Sequence, residues 1–189
     1  MKHEEKTLQT KKALAASLKQ RMQHTALNKI TVRELIEDCS INRKTFYYHF
    51  DDIYDLLHWT LAEEGVYIVK HFDLINDYEA AISFVMDYVE QNDHILNCAL
   101  DSMGRDHLKQ FFYNDFIDII SNLIHELEAQ LDHHLNDNFR MFLSNFYTEA
   151  IAGVLCEWIR HKNERDREST INNISLIMME SLPAIIAKA

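Results

Sequence analysis

Glycine and proline are scarce, with three Gly and one Pro in 189 residues. So few turn formers cannot serve the many tight reversals of an all-β chain, and they favour long helices with few connections. Cysteine is equally sparse. Cys39, Cys98 and Cys156 are odd in number, widely separated and form no CxxC pair, which argues against a disulfide framework or a zinc ribbon. No stretch approaches eighteen uninterrupted apolar residues, and Met1-Lys2-His3-Glu4-Glu5 leads into no signal-peptide core, so a cytoplasmic protein without a membrane segment is expected. There is no glycine-rich phosphate loop, nucleophile elbow or HExxH. Glu126 and Glu128 lie two apart and do not face each other on a helix. Eleven histidines are present, but the densest cluster, His133-His134 beside Asp132, sits on adjacent loop positions that rarely converge on one ion. No catalytic residues, no metal and no cofactor are predicted, and the chain is not expected to be an enzyme.

What is present is an uneven charge. The formal total of −11 suits a nucleic-acid binder badly until it is divided. Residues 1–50 hold ten Lys/Arg against five Asp/Glu, net +5, and residues 51–189 hold nine against twenty-five, net −16. A basic end on an acidic body directs a polyanion to one part of the molecule.

The basic end carries the most informative stretch, TVRELIEDCSINRKTFYYHF over 31–50. Thr31 and Glu34 have the spacing of a capping box, and Val32, Leu35 and Ile36 supply an apolar stripe for a short helix. Asn42 is a second helix-start residue, with Thr45, Phe46 and Phe50 continuing the pattern. A three-residue turn, Ser40-Ile41-Asn42, joins the two, as in a helix-turn-helix. Arg43 and Lys44 at the start of the second helix suit guanine O6 and N7 in a major groove. Thr45, Tyr47, Tyr48 and His49 carry donors suited to phosphate oxygens, which fix orientation rather than sequence. The competing reading is a short aromatic-rich helix whose Tyr residues pack on a core.

T-x-x-E-L-I, then I-N-R-K-T-F-Y-Y-H-F, then D-D-I-Y-D-L-L resembles the DNA-binding domain of TetR/AcrR-type bacterial transcriptional regulators over about residues 7–60. The resemblance implies a DNA-binding set of Thr31, Arg33, Asn42, Arg43, Lys44, Thr45, Tyr47, Tyr48 and His49. Two departures accompany it. Ser40 stands where the family usually has a turn glycine, implying an altered turn or a serine in a left-handed conformation. Ile53 stands where many members have a phosphate-touching lysine.

The fold class expected is all-α: a three-helix N-terminal domain over 1–50 and a helical bundle over 51–189 for effector binding and dimerisation. Residues 1–6 read as frayed, and a first helix runs from Thr7 to about His24. A helix opened by Asp51 and Asp52 is expected to run to about Phe72 despite Gly65. Others follow around 81–92, 93–105 and 112–131. The last two, 138–161 and 168–187, are joined by a charged connection over 161–169. The first of these is apolar over much of its circumference, with Phe139, Phe142, Phe146, Ala150, Gly153 and Val154 on one face, so it must be buried on two sides. Pro183 should kink or end the second. The pair predicts a four-helix interface with a second copy, against the alternative of a larger monomer core.

Phe146-Tyr147…Ala150…Gly153…Trp158-Ile159 also resembles the C-terminal region of a TetR subgroup that includes DhaS-like regulators of dihydroxyacetone kinase operons. The partners expected are therefore operator DNA, a second copy of the chain and a small-molecule effector of unknown identity. The function expected is that of a ligand-responsive homodimeric repressor. A DhaS-like activator needing a partner co-regulator, and a helical interaction module that no longer reads DNA, stay open as alternatives. Trp59, Tyr67, Phe84, Tyr88, Phe112, Phe116 and Trp158 are aromatic candidates for a pocket, although plain core suits each of them singly, and no effector site is assigned.

Overall fold

The structure is a computed structural model that describes residues 2–161, 164 and 166–189. Lys162, Asn163 and Arg165 of the charged connection expected over 161–169 lie outside the described residues, as does Met1. The described residues form helices and no β-strand. In chain order they are α1 (Lys2–Met22), α2 (Val32–Asp38), α3 (Arg43–His49), α4 (Ile53–Leu61), α5 (Tyr67–Val69) and α6 (Tyr78–Gln91). Then come α7 (Asp93–Met103), α8 (Arg105–Gln130), α9 (Asp137–His161), α10 (Arg167–Leu176) and α11 (Leu182–Ile186). A 3-10 turn covers Leu27–Lys29, and π-helical segments cover Ala62–Val66 and Ile177–Ser181.

The chain divides into two units. One comprises Met1–Glu64 with Asn92–Gly104, and the other comprises Gly65–Gln91 with Arg105–Ala189. In the first, Leu14, Leu18 and Met22 of α1, Leu35 of α2, Phe46 of α3, Leu56 and Leu57 of α4 and Leu96 of α7 are all buried. The spacing of Leu14, Leu18 and Met22 is the helical recurrence visible in the sequence. α1 nevertheless starts at Lys2, ahead of that stripe, so the frayed end expected over 1–6 is replaced by helix from Lys2 onward. Glu4 and Glu5 in its first turn favour the positive end of the helix dipole, a stabilisation that needs no apolar contact. Gly104 at φ 84° ends α7, in a backbone region that only glycine adopts without strain.

In the second unit α8 and α9 form a helical hairpin around the loop 131–136. Ile120, Leu123, Ile124 and Leu127 of α8 meet Leu143 and Tyr147 of α9, with Met178, Leu182 and Ile186 closing the cluster. The loop is locked from within. The buried Glu128 carboxylate accepts from the Leu135 N–H at 2.7 Å and from Arg140 Nε and Nη2 at 2.8 and 3.0 Å. Arg140 Nη2 also donates to the Leu135 carbonyl at 3.0 Å. The Arg140 guanidinium, aided by the Leu135 N–H and against the effect of burial, holds the Glu128 carboxyl at about 2.

The two π segments occur where the sequence predicts uninterrupted or kinked helix. Gly65 lies in the first; a Cβ there would stand 3.2 Å from the Tyr88 ring, so the glycine permits a close approach as well as a weaker helix. Pro183 follows the second. It has no N–H to offer the Met179 carbonyl, so the regular ladder fails one turn earlier. The Ser181 hydroxyl instead donates to the Ile177 carbonyl, and Tyr147 of α9 meets Ser181 Oγ at 2.9 Å.

Candidate nucleic-acid interface

The helix-turn-helix is built by caps on both of its helices. Thr31 Oγ1 accepts from the Glu34 N–H at 3.3 Å, and Glu34 Oε2 accepts from the Thr31 N–H at 2.8 Å and from its hydroxyl at 2.7 Å. These bonds, the hydroxyl's first, hold the Glu34 carboxyl below its ordinary value. Asn42 Oδ1 caps α3, accepting from the Thr45 N–H at 2.8 Å and from the Thr45 hydroxyl at 3.1 Å. Between the caps, Ser40 adopts φ 51°. The serine therefore takes the left-handed conformation that a glycine would usually supply, so the helix-turn-helix survives the departure at this position.

α3 shows two faces. Phe46 is fully buried and Phe50, just past its end, is nearly so. Arg43, Lys44, Tyr47 and Tyr48 are exposed on the other side, in the i, i+1, i+4, i+5 pattern of a single helical face. Tyr48 is 71% exposed, an extreme value for so large an apolar ring. Arg43 lies over the Tyr47 ring, 5.5 Å from its centroid, and its Nη2 donates to the Tyr47 hydroxyl at 3.3 Å. That bond leaves the Tyr47 hydroxyl proton available to a phosphate. His49 is half-buried with its ring 4.9 Å from that of Tyr48.

The remaining predicted residues are already engaged. Arg33 Nε donates to Glu37 at 2.8 Å one turn along α2. The Thr31 and Thr45 hydroxyls donate to Glu34 and Asn42, so a phosphate contact from either requires that bond to be exchanged. Arg43, Lys44, Tyr47 and Tyr48 are thus the group brought together on one exposed face. Thr31, Asn42 and Thr45 chiefly build the caps of the frame, and Arg33 pairs with Glu37 on the open side of α2.

Two further side chains orient this frame, and sequence reading missed both. Arg21 of α1 grips Asp38 at the end of α2 in a forked pair, Nε to Oδ2 at 2.7 Å and Nη2 to Oδ1 at 2.8 Å. Its Nη1 reaches Glu34 at 3.0 Å, and the Ser17 hydroxyl completes the set on Asp38 at 2.7 Å. The Arg21 bond first, then that from Ser17, lowers the Asp38 carboxyl to about 2. Lys11 stands over the rings of Phe50 and Trp59, 5.0 and 4.8 Å from their centroids, a cation–π contact that ties α1 to α4 and to the end of α3. Partners 13 to 48 positions apart leave no periodic mark, so only the uneven charge of the first fifty residues hinted at them.

No helix among the described residues is long and apolar enough to cross a membrane, and no group of His, Cys, Asp and Glu among them gathers as a metal site.

Residues 76–180 match the family described as the TetR-type transcriptional regulator C-terminal region. The HTH-type dhaKLM operon transcriptional activator DhaS of Lactococcus lactis subsp. lactis (strain IL1403) is 22% identical over 176 residues, 93% of each chain. A solved structure of dihydroxyacetone kinase operon activator DhaS superposes with a TM-score of 0.66 at 21% identity, covering 94% of this chain and 96% of that one.

Proposed function

The chain belongs to the transcriptional-regulator family defined by this TetR C-terminal region, and on that footing we propose that it acts as a ligand-responsive homodimeric repressor reading a two-fold-symmetric operator. It is a DNA-binding transcriptional regulator with an all-α fold. The observation that carries the DNA-reading role of α3 is its exposed face of Arg43, Lys44, Tyr47 and Tyr48, backed by the buried Phe46. Arg43 and Lys44 read base edges, while Tyr47, Tyr48 and His49 bond phosphates. Thr31, Arg33, Asn42 and Thr45 hold or join that surface. Its domains are a DNA-reading segment over 1–50 and an effector and dimerisation segment over 51–189. It works in the cytoplasm on double-stranded DNA and catalyses no reaction.

The dimer reading rests on apolar side chains open to solvent in the single chain. Phe139, Phe142 and Phe146 stack in a row along α9 at 6.3 and 6.1 Å between centroids. Phe142, Phe146, Leu176 and Ile177 are each more than half exposed. A row of this kind on a protomer marks an interface, and two-fold symmetry gives the twin DNA-reading helices their spacing of one helical turn. Effector binding shifts the dimer away from the state that fits two successive grooves. The same coupling must then weaken the effector's hold on the DNA-bound form by an equal factor.

The test is a fluorescence-anisotropy titration against the DNA upstream of its own gene, across a salt series. Tight binding to one palindromic site that weakens steeply with salt supports the reading. Weak binding indifferent to sequence refutes it and favours a helical interaction module. Activation is the second reading, favoured by the relative from Lactococcus lactis, a transcriptional activator. A reporter driven by the bound promoter separates the two by the direction in which deletion of the regulator moves expression.

A further inference from the structure

The exposed face of α3 is not uniformly supported. Tyr47 is 47% exposed, yet its ring is braced from the core side: it meets the ring of the fully buried Phe46 edge-on, 5.4 Å between centroids at 84°. Arg43, one turn earlier, covers the Tyr47 ring at 5.5 Å from its centroid and donates from Nη2 to its hydroxyl at 3.3 Å. The guanidinium is thereby held twice, by a cation–π contact and by a hydrogen bond. Lys44 lies beside it on the same face and has neither contact among the described residues.

Of two neighbouring cations, then, one is held and one is free to move. A long side chain that is mobile before docking must give up rotamer freedom to make its contact, and one already ordered does not. Arginine presents its N–H donors in a rigid fork. A single Nη2 donation to Tyr47 leaves a two-bond edge of that fork for guanine O6 and N7. The Tyr47 oxygen that accepts from Arg43 still has its own proton to give. A phosphate that takes this proton makes the oxygen a better acceptor, because hydrogen bonds in a chain polarise one another. Contact with the DNA backbone then tightens the hold on the base reader as the two molecules dock.

We infer that Tyr47 is a positioning residue that sets specificity: it carries the Arg43 guanidinium in place for a guanine, so base preference at that position depends on the Tyr47 hydroxyl, an inference that rests on the DNA-reading role of Arg43 proposed above. A phosphate bond alone would make Tyr47 indifferent to sequence.

Competition titrations of the full chain against single-base variants of its operator separate the two roles. The position at which Arg43→Ala loses preference locates the base that Arg43 reads. Tyr47→Phe keeps the ring and its contact with Phe46 and removes only the hydroxyl. It should weaken every sequence through the lost phosphate bond and, beyond that, lower preference at the Arg43 position about fivefold, the worth of one hydrogen bond. In the Arg43→Ala background it should lower preference no further. Preference at the position set by Lys44 should not change, since Lys44 is not bonded to that hydroxyl. Tyr47→Leu, which also removes the ring that Arg43 covers, should go beyond Tyr47→Phe at the Arg43 position alone. Nitrogen-15 relaxation of the Arg43 Nε–H in the free chain reads the hold directly, and Tyr47→Phe should increase its motion.

Unchanged preference at the Arg43 position in Tyr47→Phe, with all sequences weakened alike, overturns the inference and leaves Arg43 as the reader. Sharper preference in Tyr47→Phe also overturns it, since Arg43 would then have to leave the tyrosine to reach its base. So does Arg43 Nε–H motion that is equal in the two chains. Binding by the unaltered chain that is indifferent to sequence removes the DNA-reading role itself, and the inference with it.

Discussion

Replacing Phe146 by serine should break the proposed dimer while leaving the protomer folded. Phe142 and Phe146 are 59% and 57% exposed in the single chain. A phenylalanine side chain offers about 200 Å², so each leaves roughly 115 Å² of apolar surface for a partner to cover. At about 25 cal/mol per Å² that is worth up to about 3 kcal/mol per ring, and two-fold symmetry counts each ring twice. Rim water and imperfect packing reduce the return; half of it, about 3 kcal/mol per dimer for Phe146→Ser, raises the dimer Kd about 150-fold. The protomer should keep its helices, because the ring is outside the core and its ring contacts are those with Phe142 and Tyr147 on its own helix. Sedimentation velocity over a thousandfold concentration range reads the dimer Kd, and far-UV circular dichroism reads the fold. Operator binding should weaken in parallel and turn concentration-dependent. A Phe142→Ser/Phe146→Ser double variant with an unchanged dimer Kd would refute the assignment of this face.

Arg43→Ala or Lys44→Ala should relax preference at particular bases by about 1–3 kcal/mol, whereas Tyr48→Phe or Thr45→Ala should weaken all sequences alike; competition titrations with single-base operator variants separate the patterns, and uniform loss from all four would sink the division. The Glu128 carboxyl titrates at about 2 when folded, below its ordinary 4.5, so it contributes stability in full above about pH 4.5 and loses it as pH falls towards 2. Glu128→Gln should accordingly cost about 3 kcal/mol at neutral pH, as expected when a buried pair loses one partner, and should flatten the acid limb of a urea-denaturation series taken from pH 6 to pH 2.5. Ser40→Gly should stabilise the chain by about 0.5–1 kcal/mol in thermal melts, since glycine accepts the left-handed backbone without the Cβ penalty; a lower Tm would mean that the serine is held there by something other than turn geometry.

What could be read in advance is what neighbouring residues decide among themselves. Thr31 with Glu34 and Asn42 with Thr45 are three apart, and both caps formed as their spacing requires. The loss of the turn glycine was visible as well, together with its consequence at Ser40. The grip of Arg21 on Asp38 was not, because its value lies in a distance set by the packing of α1 on α2. The start of α1 was missed for a related reason: Lys2–Lys6 carry no apolar stripe, yet helix propagates through them once the following turns are packed. The aromatic candidates for a pocket divided in a way that no one-dimensional pattern foretells. Phe116 and Trp158 line a cavity in the second unit, whereas Tyr67 is 57% exposed.

The π segment Ile177–Ser181 sets the phase of everything after it. A π turn accommodates one residue more than an α turn, and in an α-helix each residue advances the facing direction by about 100° and the axis by about 1.5 Å. With the extra residue in place, Leu182 and Ile186 are fully buried while Leu176 and Ile177 remain open. Deleting one residue between 177 and 181, or expelling the bulge, would behave like a slipped gear tooth. The C-terminal turn would swing its apolar side chains out of the core cluster, away from Leu143 and Tyr147 of α9, and present a different set to whatever lies alongside.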